Sequence, residues 1–194
     1  AGVVVMNTPG QNANAVAELA IGLMIYMARN QFNPSTGVEI AGKTLGIQGF
    51  GNVGSLVAAK ALALGMKVRA FDPVKSDEDM LVRGVEPTSS VKTLYADCDY
   101  ISLNLPLVTV TERSVGYDLL SAMPKGGVLI NTARKEIVDE SGLERALEER
   151  GDIKYASDVA PDNYAALREK FGLRVYANSK KMGAQTAEAN LNAG

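Results

Sequence analysis

Histidine is absent from all 194 residues. That removes the commonest general acid–base side chain and the commonest metal ligand, so proton transfer must fall to another residue type and no metal site is expected. Cysteine occurs once, as Cys98. A lone thiol excludes an internal disulfide and fits a reducing compartment, so a cytoplasmic setting is expected. Neither sign of charge is in excess, with 20 basic side chains against 22 acidic ones. This balance offers no electrostatic footprint for nucleic acid or for an anionic membrane surface. Long apolar runs are missing as well. The most apolar stretch, Ala15 to Ala28, is broken by Glu18 and falls short of the roughly 20 residues a membrane span requires.

What is present is ordinary for a globular domain: 46% of residues are apolar and 22% charged. The length suits one α/β domain, or one domain with part of another. The chain opens at Ala1 inside the strand-like Gly2–Met6 and closes on Leu191-Asn192-Ala193-Gly194, partway through an apparent helix. Both ends read as cuts, and a longer parent protein is expected.

After the turn signal Asn7-Thr8-Pro9-Gly10, a helix is expected from about Asn14 to Arg29. Val16, Leu19, Ala20, Leu23 and Met27 recur there at three- and four-residue spacing. Asn33-Pro34-Ser35-Thr36-Gly37 marks residues 31–42 as a linker. From Lys43 onward, short apolar runs alternate with helical patterns. Strands are expected at Thr44–Gln48, Lys67–Phe71, Asp99–Leu103, Gly127–Asn131, Ile153–Ser157 and Arg174–Ala177. Helices are expected near Asn52–Leu64, Ser76–Arg83, Ser90–Ala96, Tyr117–Ala122, Glu140–Arg150 and Asn163–Lys170. Val128-Leu129-Ile130 is apolar on successive residues, as a strand covered on both faces must be. The alternation implies an α/β fold with a doubly wound parallel sheet. The expected domain plan is the end of another domain with a crossover helix at 1–30, the linker, a nucleotide-binding domain at 43–178, and a return segment at 179–194.

Gly49, Gly51 and Gly54 form G-x-G-x-x-G between the first of these strands and the helix beginning at Asn52 and Val53. The first glycine permits a tight turn, the second lets a pyrophosphate approach the backbone, and the third lets helix and strand pack closely. The helix that follows offers free N–H groups and a positive dipole end to phosphate. Asp72, followed by Pro73, closes the next strand, where a carboxylate can accept both hydroxyls of an adenosine ribose. The pattern implies dinucleotide binding, with NAD preferred over a 2′-phosphorylated relative that Asp72 would repel. Arg69 lies on the same strand but on its opposite face. Ligands in such sheets bind beyond the carboxyl ends of the strands. That rule gathers Asn104 to Leu107, Asn131 to Arg134, Asp158-Val159 and Asn178 to Lys181 onto one rim with the glycine loop.

With those segments aligned, the chain resembles the nucleotide domain of the D-2-hydroxyacid dehydrogenases, in particular the short forms of the phosphoglycerate dehydrogenase branch. The resemblance runs over nearly the whole chain. It rests on Asn7-Thr8-Pro9-Gly10, Gly49 to Gly54, Asp72-Pro73, Asn104-x-Pro106-Leu107 with Thr111, Ile130 to Arg134, Asp158-Val159 and Gly183-Ala184. It implies that Arg134 holds a substrate carboxylate and polarises a 2-oxo group, a task suited to a fixed fork of donors. It implies that Asp158 accepts a hydrogen bond from the nicotinamide carboxamide. Thr132 and Ala133 are implied on the nicotinamide side, with Asn104, Pro106 and Thr111 along the rest of the cofactor.

Two positions depart from the pattern. Where most of the family has a histidine, this chain has Lys181, and where the partner glutamate would stand it has Asn163. A retained carboxylate would hold a lysine's pKa up; without it, burial and the charge of Arg134 would bring the pKa down. Lys181 is therefore read as the proton donor and acceptor, or, with Lys180, as a clamp for a substrate phosphate. The implied reaction is NAD-dependent oxidation of 3-phosphoglycerate to 3-phosphohydroxypyruvate, the first step of serine synthesis. A hydroxypyruvate or other D-2-hydroxyacid reductase stands as an alternative, as does a non-catalytic NAD-sensing or partner-binding relative. The family resemblance also implies a homodimer.

Overall fold

In the computed structural model, which describes residues 10–192, seven strands lie side by side in the order β3-β2-β1-β4-β5-β6-β7. These are β1 (Thr44–Gln48), β2 (Lys67–Phe71), β3 (Glu86–Pro87), β4 (Tyr100–Leu103), β5 (Val128–Asn131), β6 (Lys154–Ser157) and β7 (Val175–Ala177). Every pairing is parallel. The order reverses between β1 and β4, and that topological switch point opens a crevice at the strands' carboxyl ends. The expected strand at Val3–Met6 lies outside the described residues.

The helices are α1 (Ala13–Ala28), α2 (Asn52–Ala63), α3 (Asp77–Leu81), α4 (Val91–Asp97), α5 (Tyr117–Ser121), α6 (Glu140–Glu149), α7 (Tyr164–Phe171) and α8 (Ala187–Asn192). Several begin where the sequence supplies a cap. Ser76 accepts the amide of Asp79, Ser90 that of Thr93, and Asp139 that of Gly142, each satisfying an amide with no partner inside the helix.

Alternation along the strands splits the core in two. Leu45, Ile47, Val68, Ala70, Val128 and Ile130 face α1 and α2. Ile101, Leu103, Leu129, Tyr155 and Val175 face the helices α4 to α7, through Leu94, Leu120, Leu143, Leu147 and Leu167. Burial of each such side chain contributes roughly 1.5–3 kcal/mol, which ties the helices to fixed positions over the sheet.

Two findings differ from the sequence reading, and a third adds detail to it. The strand β3 was not anticipated: it is two residues long, lies at the sheet edge, and ends on Pro87, where a missing N–H costs nothing. The deep stripe of α1 runs through Ala17, Ala20, Met24 and Met27, leaving Val16 and Leu19 of the expected face only half-buried. Ala17 and Ala20 lie deepest at one end of that stripe and the unbranched Met24 and Met27 fill the other, all within the core that α1 shares with α2. The segment at 31–42 is strapped down. Asn30, Gln31 and Phe32 take φ of 50°, 59° and 56°, a left-handed turn unfavourable for side-chain-bearing residues. Gln31 Nε2 donates to the carbonyls of Leu173 and Val175 at 3.0 and 3.2 Å, and Lys154 Nζ donates to Asn30 Oδ1 at 2.8 Å.

Candidate active site

Ladder hydrogen bonds run one residue past the strand ends and fix the rim. Gly49 N donates to Phe71 O at 2.9 Å, Asn104 N to Gln48 O at 2.9 Å, Asp158 N to Asn131 O at 2.9 Å and Asn178 N to Ser157 O at 3.1 Å. Residues far apart in sequence thereby reach one edge with backbone precision.

The glycine loop performs its three tasks in distinct ways. Gly49 has a φ of 92°, and a Cβ there would stand 2.6 Å from the carbonyl oxygen of Asn104. At Gly54 a Cβ would lie 2.0 Å from the Gly49 carbonyl oxygen, so strand and helix meet with no room between them. Gly51 is the opposite case: a Cβ there would meet nothing within 4 Å. Among the described residues nothing forbids a side chain at Gly51, and the open space above it is where a phosphate would approach. Gly51 caps α2 without a side-chain oxygen, which leaves the first amides of a 12-residue helix free for an anion. Asn52 lies under Gly10, whose Cβ would come within 2.7 Å of Asn52 Nδ2.

Asp72 ties this loop to β2. Its Oδ2 accepts the Phe50 amide at 2.7 Å, while Oδ1 accepts the amides of Val74 at 2.8 Å and Lys75 at 3.2 Å. Pro73 follows as an exposed residue of the turn. Arg69 is turned away and pairs with Glu86 at 2.8 Å and with Asp97, so its charge is neutralised far from the loop.

A cavity of about 250 Å³ opens at the switch point. Its wall includes Val53, Asn104, Pro106, Thr132, Ala133, Arg134 and Lys181. The structure thus brings both expected catalytic residues and five of the expected cofactor residues to one space. Thr111 is not on that wall. Its hydroxyl donates to Pro106 O at 2.6 Å and accepts the amide of Val108 at 2.9 Å, so it shapes the loop that presents Pro106. Asn12, Val16, Leu103, Leu105 and Ala184 also line the cavity. None of the five was assigned a contact in the sequence: Leu105 was placed only on the rim and Ala184 only among the motif residues, and the apolar residues carry no chemical signature.

Arg134 is presented by a side-chain-braced turn. Asn131 Oδ1 accepts the Ala133 amide at 3.0 Å and its Nδ2 donates to Arg134 O at 2.9 Å. The guanidinium is exposed and donates only to Ala133 O, at 2.8 Å, among the described residues, leaving most of its five donors available. Lys181 stands on the same wall with most of its side chain open to solvent. Partial desolvation first, and then the charge of Arg134, lower its proton affinity; the carboxylate of Asp158 pulls the other way.

The residues present fit a nicotinamide dinucleotide. Among the described residues, Asn104 Oδ1 and Thr132 Oγ1 are buried polar atoms without a hydrogen-bond partner, and both residues belong to the cavity wall. Buried polar atoms are seldom left unpaired, so these two mark places where a ligand completes the bonding. Asp158 is 1% exposed and accepts from Asn178 Nδ2, Met182 N and Gly183 N. Three of a carboxylate's roughly four acceptor sites are filled, which leaves room for about one donor from outside the chain. Asn163 caps α7, and its Oδ1 is buried and unpaired.

Residues 18–189 match the family of D-isomer specific 2-hydroxyacid dehydrogenases, NAD binding domain. A hydroxypyruvate reductase of Thermotoga maritima is 36% identical, across 100% of this chain and 67% of its own length. A D-3-phosphoglycerate dehydrogenase of Methanocaldococcus jannaschii is 33% identical, and this chain spans 39% of its length. Among solved structures, the NAD+-bound 3-phosphoglycerate dehydrogenase of Entamoeba histolytica superposes with a TM-score of 0.91 at 44% identity. That likeness covers 98% of this chain and 61% of the other. The switch-point crevice, the three glycines and the family match lead to one assignment: the chain belongs to the D-isomer specific 2-hydroxyacid dehydrogenases and carries their NAD-binding domain.

Proposed function

We propose that this domain serves an enzyme that moves a hydride between NAD and a D-2-hydroxy acid, with 3-phosphoglycerate as the substrate and Lys181 in place of the family's His–Glu pair. The observation that carries the proposal is the juxtaposition of Arg134 and Lys181 on the wall of a cavity that also contains the unpaired Asn104 and Thr132 atoms. NAD, when bound, supplies the acceptor for the hydride leaving C2. Arg134 binds the substrate carboxylate and draws electron density toward the developing carbonyl oxygen. Lys181 accepts the hydroxyl proton during oxidation and returns it during reduction.

A lysine with an ordinary pKa near 10.4 is a poor base at neutral pH. The lowered proton affinity of Lys181 shifts its neutral form toward lower pH. Oxidation therefore rises with pH as Lys181 loses its proton, while reduction, which needs the ammonium, falls over the same range. In the full-length polypeptide, Lys181→Ala should cut turnover by about 10²- to 10⁴-fold with NAD affinity unchanged. A variant that raised only the substrate KM would make Lys181 a phosphate clamp. A larger loss in Lys180→Ala would move the role to Lys180.

The hydroxypyruvate reductase reading is favoured by the relative at 36% identity. Comparing kcat/KM for 3-phosphoglycerate with that for glycerate separates the two. The phosphoglycerate reading puts the enzyme at the first step of serine synthesis in the cytoplasm, working as a homodimer. Leu19, Ile25 and Tyr26 on α1 are partly buried against the domain's own core, and their remaining apolar surface is compatible with self-association, which sedimentation equilibrium would test.

A further inference from the structure

Asp158 reaches into the segment that carries Lys181. Its Oδ1 accepts the amide of Met182 at 2.7 Å, and its Oδ2 accepts that of Gly183 at 2.9 Å. Two consecutive amides on the two oxygens of one carboxylate fix both the position and the tilt of the backbone directly after Lys181. The carboxylate is itself held. Asp158 N is bonded to the end of β5, and Oδ1 also accepts Asn178 Nδ2 at 3.0 Å. Asn178 Oδ1 in turn accepts the hydroxyl of Tyr176 at 2.9 Å. Tyr176 packs edge-on against Tyr26 of α1, with ring centroids 4.8 Å apart. Gly183 is squeezed into this arrangement: a Cβ there would stand 2.9 Å from Asp158 Oδ2 and 3.3 Å from Val16 Cγ2.

We propose that Asp158 is a positioning residue for Lys181, clamping the Met182–Gly183 backbone so that the lysine is held across the cavity from Arg134. This deepens the function proposed above, and rests on Lys181 being the proton-transfer group. It gives the strand-end aspartate a task that does not depend on the cofactor, because the clamp uses only atoms of this chain. Two charged groups from the strand ends act on Lys181: Arg134 beyond β5 lowers its proton affinity and Asp158 beyond β6 raises it. Lys180 adjoins it in the chain, and among the described residues α1 and its N-cap line the cavity with the non-titrating Val16 and Asn12. Asp158 therefore fixes the backbone that carries the amine and, against the larger effects of desolvation and Arg134, favours its ammonium form.

The test begins with amide hydrogen exchange on the full-length protein without cofactor. The amides of Met182 and Gly183 should be protected, and Asp158→Ala should speed both by at least about tenfold while β6 keeps its protection. Gly183→Ala attacks the same clamp from the other side with the carboxylate intact, so it serves if Asp158→Ala fails to fold. It should loosen the same two amides. In the complete enzyme, both Asp158→Asn and Gly183→Ala should lower kcat more than they raise KM. Only Asp158→Asn should move the rising limb of the oxidation pH profile to lower pH, because only it removes the charge that favours the ammonium. Unchanged exchange at Met182 and Gly183, or a limb in Asp158→Asn that superimposes on the native one, overturns the proposal. If Lys181→Ala kept full turnover while the exchange results held, the proton-transfer reading would fall and the clamp would stand.

Discussion

At the β1 end of the crevice, Gly49, Gly51, Asn52, Val53 and Gly54 are near-consecutive residues whose shape is settled by backbone contacts and by Asp72. At the β5-to-β7 end, Thr132, Arg134, Asp158 and Lys181 arrive from three separate segments, and Arg134 and Lys181 keep most of their polar capacity unspent. The first region is rigid by sterics and built to receive a ligand that does not change. The second holds its reacting groups in place through neighbours while leaving the groups themselves free, as chemistry on a developing charge requires. A mutation at the tightly packed Gly49 or Gly54 of the first rim should therefore damage fold and cofactor binding together. At the exposed Arg134 and Lys181 of the second rim, activity should be lost without loss of stability.

After the loss already expected for Lys181→Ala, Arg134→Ala is the largest expected effect. Removing the charged partner of a substrate carboxylate costs about 2–5 kcal/mol, a factor of roughly 30 to several thousand in kcat/KM of the full-length enzyme. The melting temperature and NADH affinity should stay as they are, since the guanidinium bonds only to Ala133 O among the described residues. A parallel drop in melting temperature would erase the distinction between the two rims. Next comes Gly54→Ala against Gly51→Ala. The first drives a methyl into the Gly49 carbonyl and should destabilise the domain by about 1–3 kcal/mol, by the usual cost of overpacking. The second meets nothing, so the fold should persist while NADH binding weakens. Calorimetry and a fluorescence titration on each variant separate these outcomes.

A smaller effect is expected at Asp72. The unaltered protein should bind NADH more tightly than NADPH, and Asp72→Ala should narrow that gap. Because three backbone amides depend on this carboxylate, the variant should also lose about 1–2 kcal/mol of stability. Equal affinities for the two cofactors in the unaltered protein would defeat the assignment.

Away from both rims, Asp152 bonds Arg150 at 2.7 Å and the Gly126 amide at 2.7 Å. Its hydrogen bond from Arg150 holds the carboxyl well below the ordinary carboxylate range. A folded pKa depressed below the unfolded one gives stability that is present above the unfolded value and lost as pH falls toward the folded one. Asp152→Asn should cost about 1 kcal/mol at neutral pH, allowing for partial solvent screening. The difference should shrink in acid. Melting temperatures measured from pH 7 down to pH 3 would check this.

Much of the fold was legible because its signals are local. Thr44–Gln48 and Lys67–Phe71 were expected as strands and are strands; a short run with apolar residues at every second position between helical patterns has few other solutions. The edge strand Glu86–Pro87 was not legible, because two residues carry no periodicity and only pairing with Arg69 and Ala70 makes them a strand. The half-exposure of Val16 and Leu19 was hidden for a related reason. Helical spacing gives the width of an apolar face, while the neighbour that packs on it decides which part is deepest.

The sequence alone determined the parallel α/β sheet, the glycine loop and the set of residues at the strand ends, since these follow from hydrophobic period, glycine sterics and the rule that parallel strands end on one rim. Only the tertiary structure decided how that rim is divided. It brought Pro106 beside Arg134 and Lys181, confined Thr111 to its own loop, and turned the carboxylate of Asp158 onto the Met182 and Gly183 amides. Those outcomes depend on which backbone amide comes within reach of which side chain once the sheet is closed, and spacing along the chain does not encode that distance.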